Sequence, residues 1–188
     1  MPEIILAFCL EVGYTVEDCG LKCIKVGRRC IRRSFIKGLI EHMFLGRFLH
    51  NLDSKDRLTI PSRFRESLEE GAYVMQGFDC NLLVLTKAAY EAIATQVRQM
   101  NMTDPTARLL RRLVFSTAAW VEVDKTGRIL LPGFLRTTAK LQEEAMVVGA
   151  GDYFEIWAPE IWSGQDALLQ NSEANAERFA ALNLSTGL

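Results

Sequence analysis

Two clusters of charged residues carry the chemistry available to this chain. Asp53, Arg57, Pro61 and Arg65 follow the spacing D-x3-R-x3-P-x3-R, and Asp124, Arg128, Pro132 and Arg136 repeat it 71 positions later without a gap. A repeat at fixed offset points to two copies of one structural unit. An arginine guanidinium is a planar fork of donors suited to guanine edges and phosphate, and a lysine meets phosphate as a point charge. Asp53 and Asp124 form a pair of carboxylates that could serve acid–base chemistry. Their placement beside the turn arginines instead assigns them to bracing, since Asp commonly accepts backbone N–H groups of its own turn. Arg57 and Arg128 stay open to two readings: internal pairing with Asp53 and Asp124, or contact with nucleic acid. Both hold together if the Asp aims the Arg outward.

Groups for covalent or metal chemistry are scarce. The histidines are His42 and His50, and neither belongs to a catalytic or metal-binding motif. Cys80 stands alone in the first repeat and reads as a packed residue. Cys19, Cys23 and Cys30 with His42 match no standard zinc spacing. No catalytic residue, metal or cofactor is therefore expected. The chain has 188 residues, 49% of them hydrophobic and 24% charged, an ordinary globular composition. Its net charge of −1 means that any affinity for nucleic acid must come from local placement of charge. From Arg47 to Arg65 there are five basic residues (Arg47, Lys55, Arg57, Arg63, Arg65) against Asp53 and Asp56. No apolar run is long enough to span a bilayer. Four of the five cysteines fall in the first 30 residues, which fits a cytosolic protein better than a disulfide framework.

The elements that must position these residues follow from the pattern. Apolar runs flank each Asp-x3-Arg, so each reads as a strand-to-strand turn. Position 127 is Gly, which takes positive φ without steric cost; position 56 is Asp, which visits that region. Pro61 and Pro132 fit the first position of a helix. Phe64 and Leu68, repeated as Leu135 and Ala139, make a buried stripe. After one inserted residue Gly77 pairs with Gly149, and Leu82, Val84 and Leu85 pair with Phe154, Ile156 and Trp157. Each half thus reads strand, turn, strand, helix, strand, turn, strand, helix.

Five segments result. Residues 1–42 are an extension outside the repeat, with a basic run that could touch phosphates. Residues 43–90 are the first repeat and 91–114 a helical connector. Residues 115–162 are the second repeat and 163–188 a helical tail that frays at its end. In the connecting helices Tyr90, Ile93, Val97 and Met100 form one stripe, and Leu109, Leu110 and Leu113 are expected to point inward.

The stretch Met43-Phe-Leu-Gly-Arg-Phe, the run Asp53-Ser-Lys-Asp-Arg-Leu-Thr-Ile-Pro-Ser-Arg-Phe-Arg65 and the second Asp124-Lys-Thr-Gly-Arg-Ile-Leu-Leu-Pro132 resemble the MraZ family over residues 43 to 184. The chain departs from that family's usual Asp-x-Lys-Gly-Arg at Asp56. Members of the family begin at Met-Phe, as at Met43-Phe44, so the resemblance implies that residues 1–42 are poorly ordered or translated from a mis-set start codon. The resemblance implies an α+β fold of two AbrB-like swapped-hairpin β repeats, forming a pseudo-twofold, barrel-like unit with flanking helices. It implies a transcription regulator, a repressor in the cell wall and division gene cluster that includes its own gene. Its partners would be double-stranded DNA with tandem promoter repeats and further copies of itself in a ring, with no membrane, in the cytoplasm at the nucleoid. The residues expected at DNA are Arg57 first, then Lys55, Arg63 and Arg65, then Arg47 and Arg128. The other class of function is an AbrB-like protein-binding module of the antitoxin type, acting through a partner held by its tail.

Overall fold

The structure is a computed structural model that describes residues 16–18, 23–26, 29–32 and 43–182. Within the expected N-terminal extension only three short strands are described; the Cys/His spacing that ends at His42, the basic run as a whole and the chain's last six residues lie outside the described residues. The chain divides into two compact units, one of residues 42–166 and one of residues 1–41 with 167–188.

In the second of these, β1 (Val16–Asp18), β2 (Cys23–Val26) and β3 (Arg29–Arg32) form an antiparallel meander in that order.

The 42–166 unit is α+β and antiparallel. Its first half runs β4 (Arg47–Asn51), β5 (Arg57–Thr59), α1 (Ser62–Arg65) with a 3-10 turn, β6 (Ala72–Gln76), β7 (Leu82–Thr86) and α2 (Lys87–Gln99). Helix α3 (Pro105–Ser116) links the halves. The second half repeats the order with β8 (Ala119–Val121), β9 (Arg128–Leu130), α4 (Gly133–Thr138), β10 (Glu144–Gly149), β11 (Tyr153–Trp157) and α5 (Pro159–Gln170). Helix α6 (Ser172–Phe179) follows in sequence and belongs to the other unit.

The halves exchange strands. β4 pairs with β10, and β8 pairs with β6, so the first strand of each half lies beside the third strand of the other. The sheet order is β4-β10-β11-β7-β6-β8, while β5 and β9 form a separate two-stranded ribbon. An approximate dyad runs through both. Leu58 faces its repeat equivalent Ile129 in the ribbon, and Leu83 faces Glu155 in the sheet. The expected barrel-like closure is not seen: among the described strands the sheet is open, ending at β4 and β8.

Alternation along the strands sorts the two sheet faces. Ala72, Val74, Leu82, Val84, Ala145, Val147, Phe154 and Ile156 bury one face in a core with Leu58, Ile60, Phe64, Ile129, Leu131 and Leu135 from the ribbon and the short helices. Phe44, Phe64 and Phe154 meet there with ring centroids 5.0–5.3 Å apart, the spacing aromatic pairs prefer. On the opposite face Met75 and Leu85 pack against Tyr90, Ala94 and Val97 of α2 and Val114 of α3. Tyr73 stacks on Tyr90, and Trp157 lies against Trp162 of α5, so the same face carries an aromatic anchor in each half.

Local chemistry explains the helix starts. Thr86 caps α2 by accepting from the Ala89 N–H, and Asp104 caps α3 by accepting from the Thr106 N–H, ahead of Pro105. Pro61 and Pro132 stand one residue earlier than the sequence suggests. They are the capping residues themselves, with ψ of 135° and 138°, because the cap keeps extended backbone while its carbonyl already accepts the first helical bond. In α3 the inward face is also turned. Leu109 is 65% exposed and Val114 is buried, since the helix presents Leu110 and Val114 to the sheet, with Ala118 packing beside them just past its end. Met100, just past α2, is likewise exposed. Cys80 is exposed at the β6–β7 turn with φ of +59°, rather than packed.

Candidate nucleic-acid interface

Each charged hairpin is closed by its own aspartate. Asp53 Oδ1 accepts from the N–H groups of Lys55 and Arg57, at 2.9 and 3.0 Å. Asp124 Oδ1 accepts from the N–H groups of Thr126 and Arg128 and from the Thr126 hydroxyl. The fourth turn residue has positive φ in both, +63° at Asp56 and +79° at Gly127. That left-handed step lets Asp53 and Asp124 each take the carbonyl of the arginine four residues on. The turns also grip each other. The Ile60 N–H donates to the Gly127 carbonyl and the Leu131 N–H to the Asp56 carbonyl, two bonds related by the dyad.

At the dyad the side chains form a quartet. Arg57 Nε and Nη2 lie 2.8 Å from Asp53 Oδ2, and its Nη1 lies 3.6 Å from Asp124 Oδ2. Arg128 Nη1 lies 3.0 Å from Asp53 Oδ2, and its Nη2 lies 3.0 Å from Asp124 Oδ2. Each arginine therefore touches its own repeat's carboxylate and the other's, and the four charges sum to zero. The side chains are 25–32% exposed, so the guanidinium planes are fixed yet still reach solvent. The hydrogen bond from the Arg57 side chain is the chief cause holding the Asp53 carboxyl down to about 2. The Thr126 hydroxyl, followed by bonds from Arg128, holds Asp124 lower than the usual carboxylate range.

The remaining cations sit unevenly about this centre. Lys55 is exposed at the first turn, and its ammonium has no partner among the described residues. Arg63 is exposed and lies over the Phe48 ring at 5.1 Å, a cation–π contact that leaves the guanidinium edge open. Arg65 donates Nε to the Ile60 carbonyl and lies across Gly127. Arg47 is exposed and paired with Asp166 of α5, which sets it apart from the cluster. The equivalent positions in the second half are Ala118 for Arg47, Thr126 for Lys55 and Phe134 for Arg63, and the second turn's exposed lysine is Lys125, one position earlier in its turn than Lys55. Sequence reasoning assigned no role to Arg136, whose Nη2 lies 2.8 Å from Asp56 Oδ2. Its place as the fourth residue of the repeated motif was the available signal.

His50, on β4, is partly buried, and its Nε2 has no hydrogen-bond partner among the described residues. Burial, then the Arg65 charge, lowers its affinity for a proton. No group of three or more possible metal ligands occurs among the described residues. No helix among them is long and apolar enough to cross a membrane.

The duplication also appears when the chain is compared with known proteins. A family model described as "MraZ protein, putative antitoxin-like" matches twice, over residues 43–113 and 114–183. The chain belongs to the MraZ family. A MraZ relative from Thermomicrobium roseum is 45% identical over 141 residues, covering 74% of this chain and 99% of the relative. Another from Roseiflexus sp. is 41% identical over 73% of this chain and 94% of the relative. One from Herpetosiphon aurantiacus is 39% identical over 76% of this chain and 100% of the relative. All three carry the name "Transcriptional regulator MraZ", a regulator's name and not an enzyme's.

Proposed function

We propose that this chain is a transcriptional regulator that binds double-stranded DNA through the face centred on the quartet. One observation carries the reading: exposed Lys55 and Arg63, with Arg65, flank a two-stranded ribbon whose outer arginines are rigidly aimed. A two-stranded ribbon is one of the elements that a major groove admits. Arg57 and Arg128 on its outer face are held by Asp53 and Asp124, so their ordering cost is met before any ligand arrives. Bracing and contact are then two aspects of one arrangement. Lys55, Arg63 and Arg65 supply phosphate contacts, and Arg47 makes the weaker contribution of a cation already paired.

The exchanged strand pairing supports reading residues 43–90 and 115–162 as two AbrB-like swapped-hairpin repeats joined by the 91–114 connector. One such face makes few phosphate contacts. Several copies in a ring, set against tandem promoter repeats, would gain avidity without new contacts. Repression of a cell wall and division gene cluster from the cytoplasm, at the nucleoid, is the setting that the family suggests.

A salt-titrated gel shift tests this, using the full chain and the duplex lying directly upstream of its gene. The logarithm of affinity should fall linearly with the logarithm of salt. Lys55→Ala and Arg63→Ala should each weaken binding and reduce that slope by about 1, with unchanged melting temperature. Arg112→Ala, on the connecting helix α3, should change nothing. An affinity that ignores salt would refute the reading and leave the protein-binding alternative.

A further inference from the structure

The two turns differ most at their fourth residue, and that difference determines what the arginine from the opposite repeat can do. Arg65 and Arg136 are equivalent by the 71-residue offset. Arg65 reaches across Gly127, where an added Cβ would sit 2.2 Å from its Cζ. It spends Nε on the Ile60 carbonyl, and its two terminal nitrogens have no partner among the described residues. Arg136 instead meets Asp56, with Nη2 2.8 Å from Oδ2, while the Asp56 side chain remains 45% exposed. Glycine presents no side chain to its arginine, and aspartate presents a charged acceptor.

We propose that Asp56 is an intramolecular counter-ion that keeps Arg136 from DNA phosphate, making the nucleic-acid face of this chain electrostatically one-sided. This inference rests on the DNA-binding reading above. A carboxylate offers a guanidinium the same planar, charge-assisted bonding that a phosphate would. A phosphate approaching Arg136 must displace Asp56 and also approach its negative charge. Asp53 and Asp124 do not compensate, because each already serves both arginines of the quartet. Each turn keeps one exposed lysine, Lys55 in the first and Lys125 in the second, and the effect adds to the substitution of Phe134 for Arg63, so both differences remove positive charge from beside Arg136. A symmetric pair of faces suits inverted half-sites, because operator symmetry mirrors protein symmetry. A one-sided face suits repeats that all point the same way.

The turn tolerates the change that tests this. Asp56 has φ of +63° and Gly127 has +79°, so glycine at position 56 enters a conformation it adopts without steric cost. Binding of the full-length chain to the duplex directly upstream of its gene would be followed over a range of salt, for the native chain, Asp56→Gly, Asp56→Asn, Arg136→Ala and the double variant Asp56→Gly/Arg136→Ala. Asp56→Gly should bind more tightly and steepen the logarithmic salt slope by about 0.9 per engaged copy, the value for one more phosphate contact. Asp56→Asn should move in the same direction with the side-chain size retained. Arg136→Ala alone should leave the slope at the native value and weaken binding only by the unmasked Asp56 charge, and in the double variant the steepening should vanish. A gain that persists without Arg136 would overturn the proposal, since the carboxylate would then act only as a diffuse negative field. Loss of binding by Arg136→Ala alone, comparable to that of Arg65→Ala, would also overturn it. Native binding with an unchanged slope in Asp56→Gly refutes this proposal and leaves the DNA reading intact. A native chain with no salt-dependent binding refutes both.

Discussion

The first and second hairpins share a backbone and differ in what they show to solvent. Asp53 and Asp124 close equivalent turns, Ile60 and Leu131 donate equivalent cross-repeat bonds, and Leu58 meets Ile129 on the dyad. Each turn shows one exposed lysine, Lys55 or Lys125, but outside that frame the first repeat carries Arg63 and Arg65, whereas the second carries exposed Leu130 and Phe134 and an arginine already paired with Asp56. Interior positions have partners in the other repeat and stay matched. Exterior positions have none and can diverge without disturbing the fold. A duplicated unit can in this way keep its symmetry for folding while it gives it up for recognition.

The largest test of that comparison is made at the centre. Leu58 and Ile129 are fully buried, and Leu58→Ala and Ile129→Ala should each cost about 2–5 kcal/mol in urea unfolding. Similar losses are expected because each residue fills the same space from opposite sides. A several-fold difference would show that one half folds around the other instead of sharing one core.

The fourth turn position should behave asymmetrically. Gly127→Asp places a Cβ against the Arg65 guanidinium and a side chain at φ of +79°, and should cost at least about 1–2 kcal/mol. Asp56→Gly relieves a left-handed residue but removes an ion pair, and should stay within about 0.5 kcal/mol of the native chain. Equal effects would remove the distinction drawn between the two turns.

Acid titration addresses the quartet. The folded Asp53 carboxyl titrates at about 2, below the about 3.9 of an unfolded chain, so the unfolded state takes up protons first. The stabilisation from this group is complete above pH about 4 and is lost as pH falls towards 2. Asp53→Asn should lower the melting temperature at pH 7 and flatten this part of the pH profile. A variant that keeps the native profile would show that the quartet orients its arginines without contributing to stability.

The smallest expected effect is at His50. Its folded pKa lies below the ordinary value of about 6.5, so the unfolded chain again binds the proton more readily. Stability should therefore decline slightly as pH drops below about 6.5, and His50→Gln should remove that decline. Melting curves between pH 7.5 and pH 5, roughly centred on that pKa, would measure it.

Much of this arrangement was legible from spacing. The four-residue period in Phe64 and Leu68 marks the buried face of α1 and the turn after it, and Leu135 and Ala139 mark the same face in the second half. Asp104 before Pro105 marks the start of α3. These signals are local, because capping and side-chain periodicity act within a few residues. The inward face of α3 was misread at Leu109, since Leu109, Leu110, Leu113 and Val114 are all apolar and only the opposing sheet selects among them. His50 and Cys80 also depended on neighbours distant in sequence.

What the sequence by itself determined is the duplication: two Asp-x3-Arg turns, each able to brace itself and to present an arginine. Tertiary structure alone decided how the copies meet. Pairing of β5 with β9, in a fold where β4 and β8 are exchanged between the halves, brings Asp53, Arg57, Asp124 and Arg128 into one quartet and lays Arg136 against Asp56. Pairing of charges 67 to 80 residues apart depends on which strand edges come together, and the periodicity within either half is the same whether its first strand stays at home or crosses to the other.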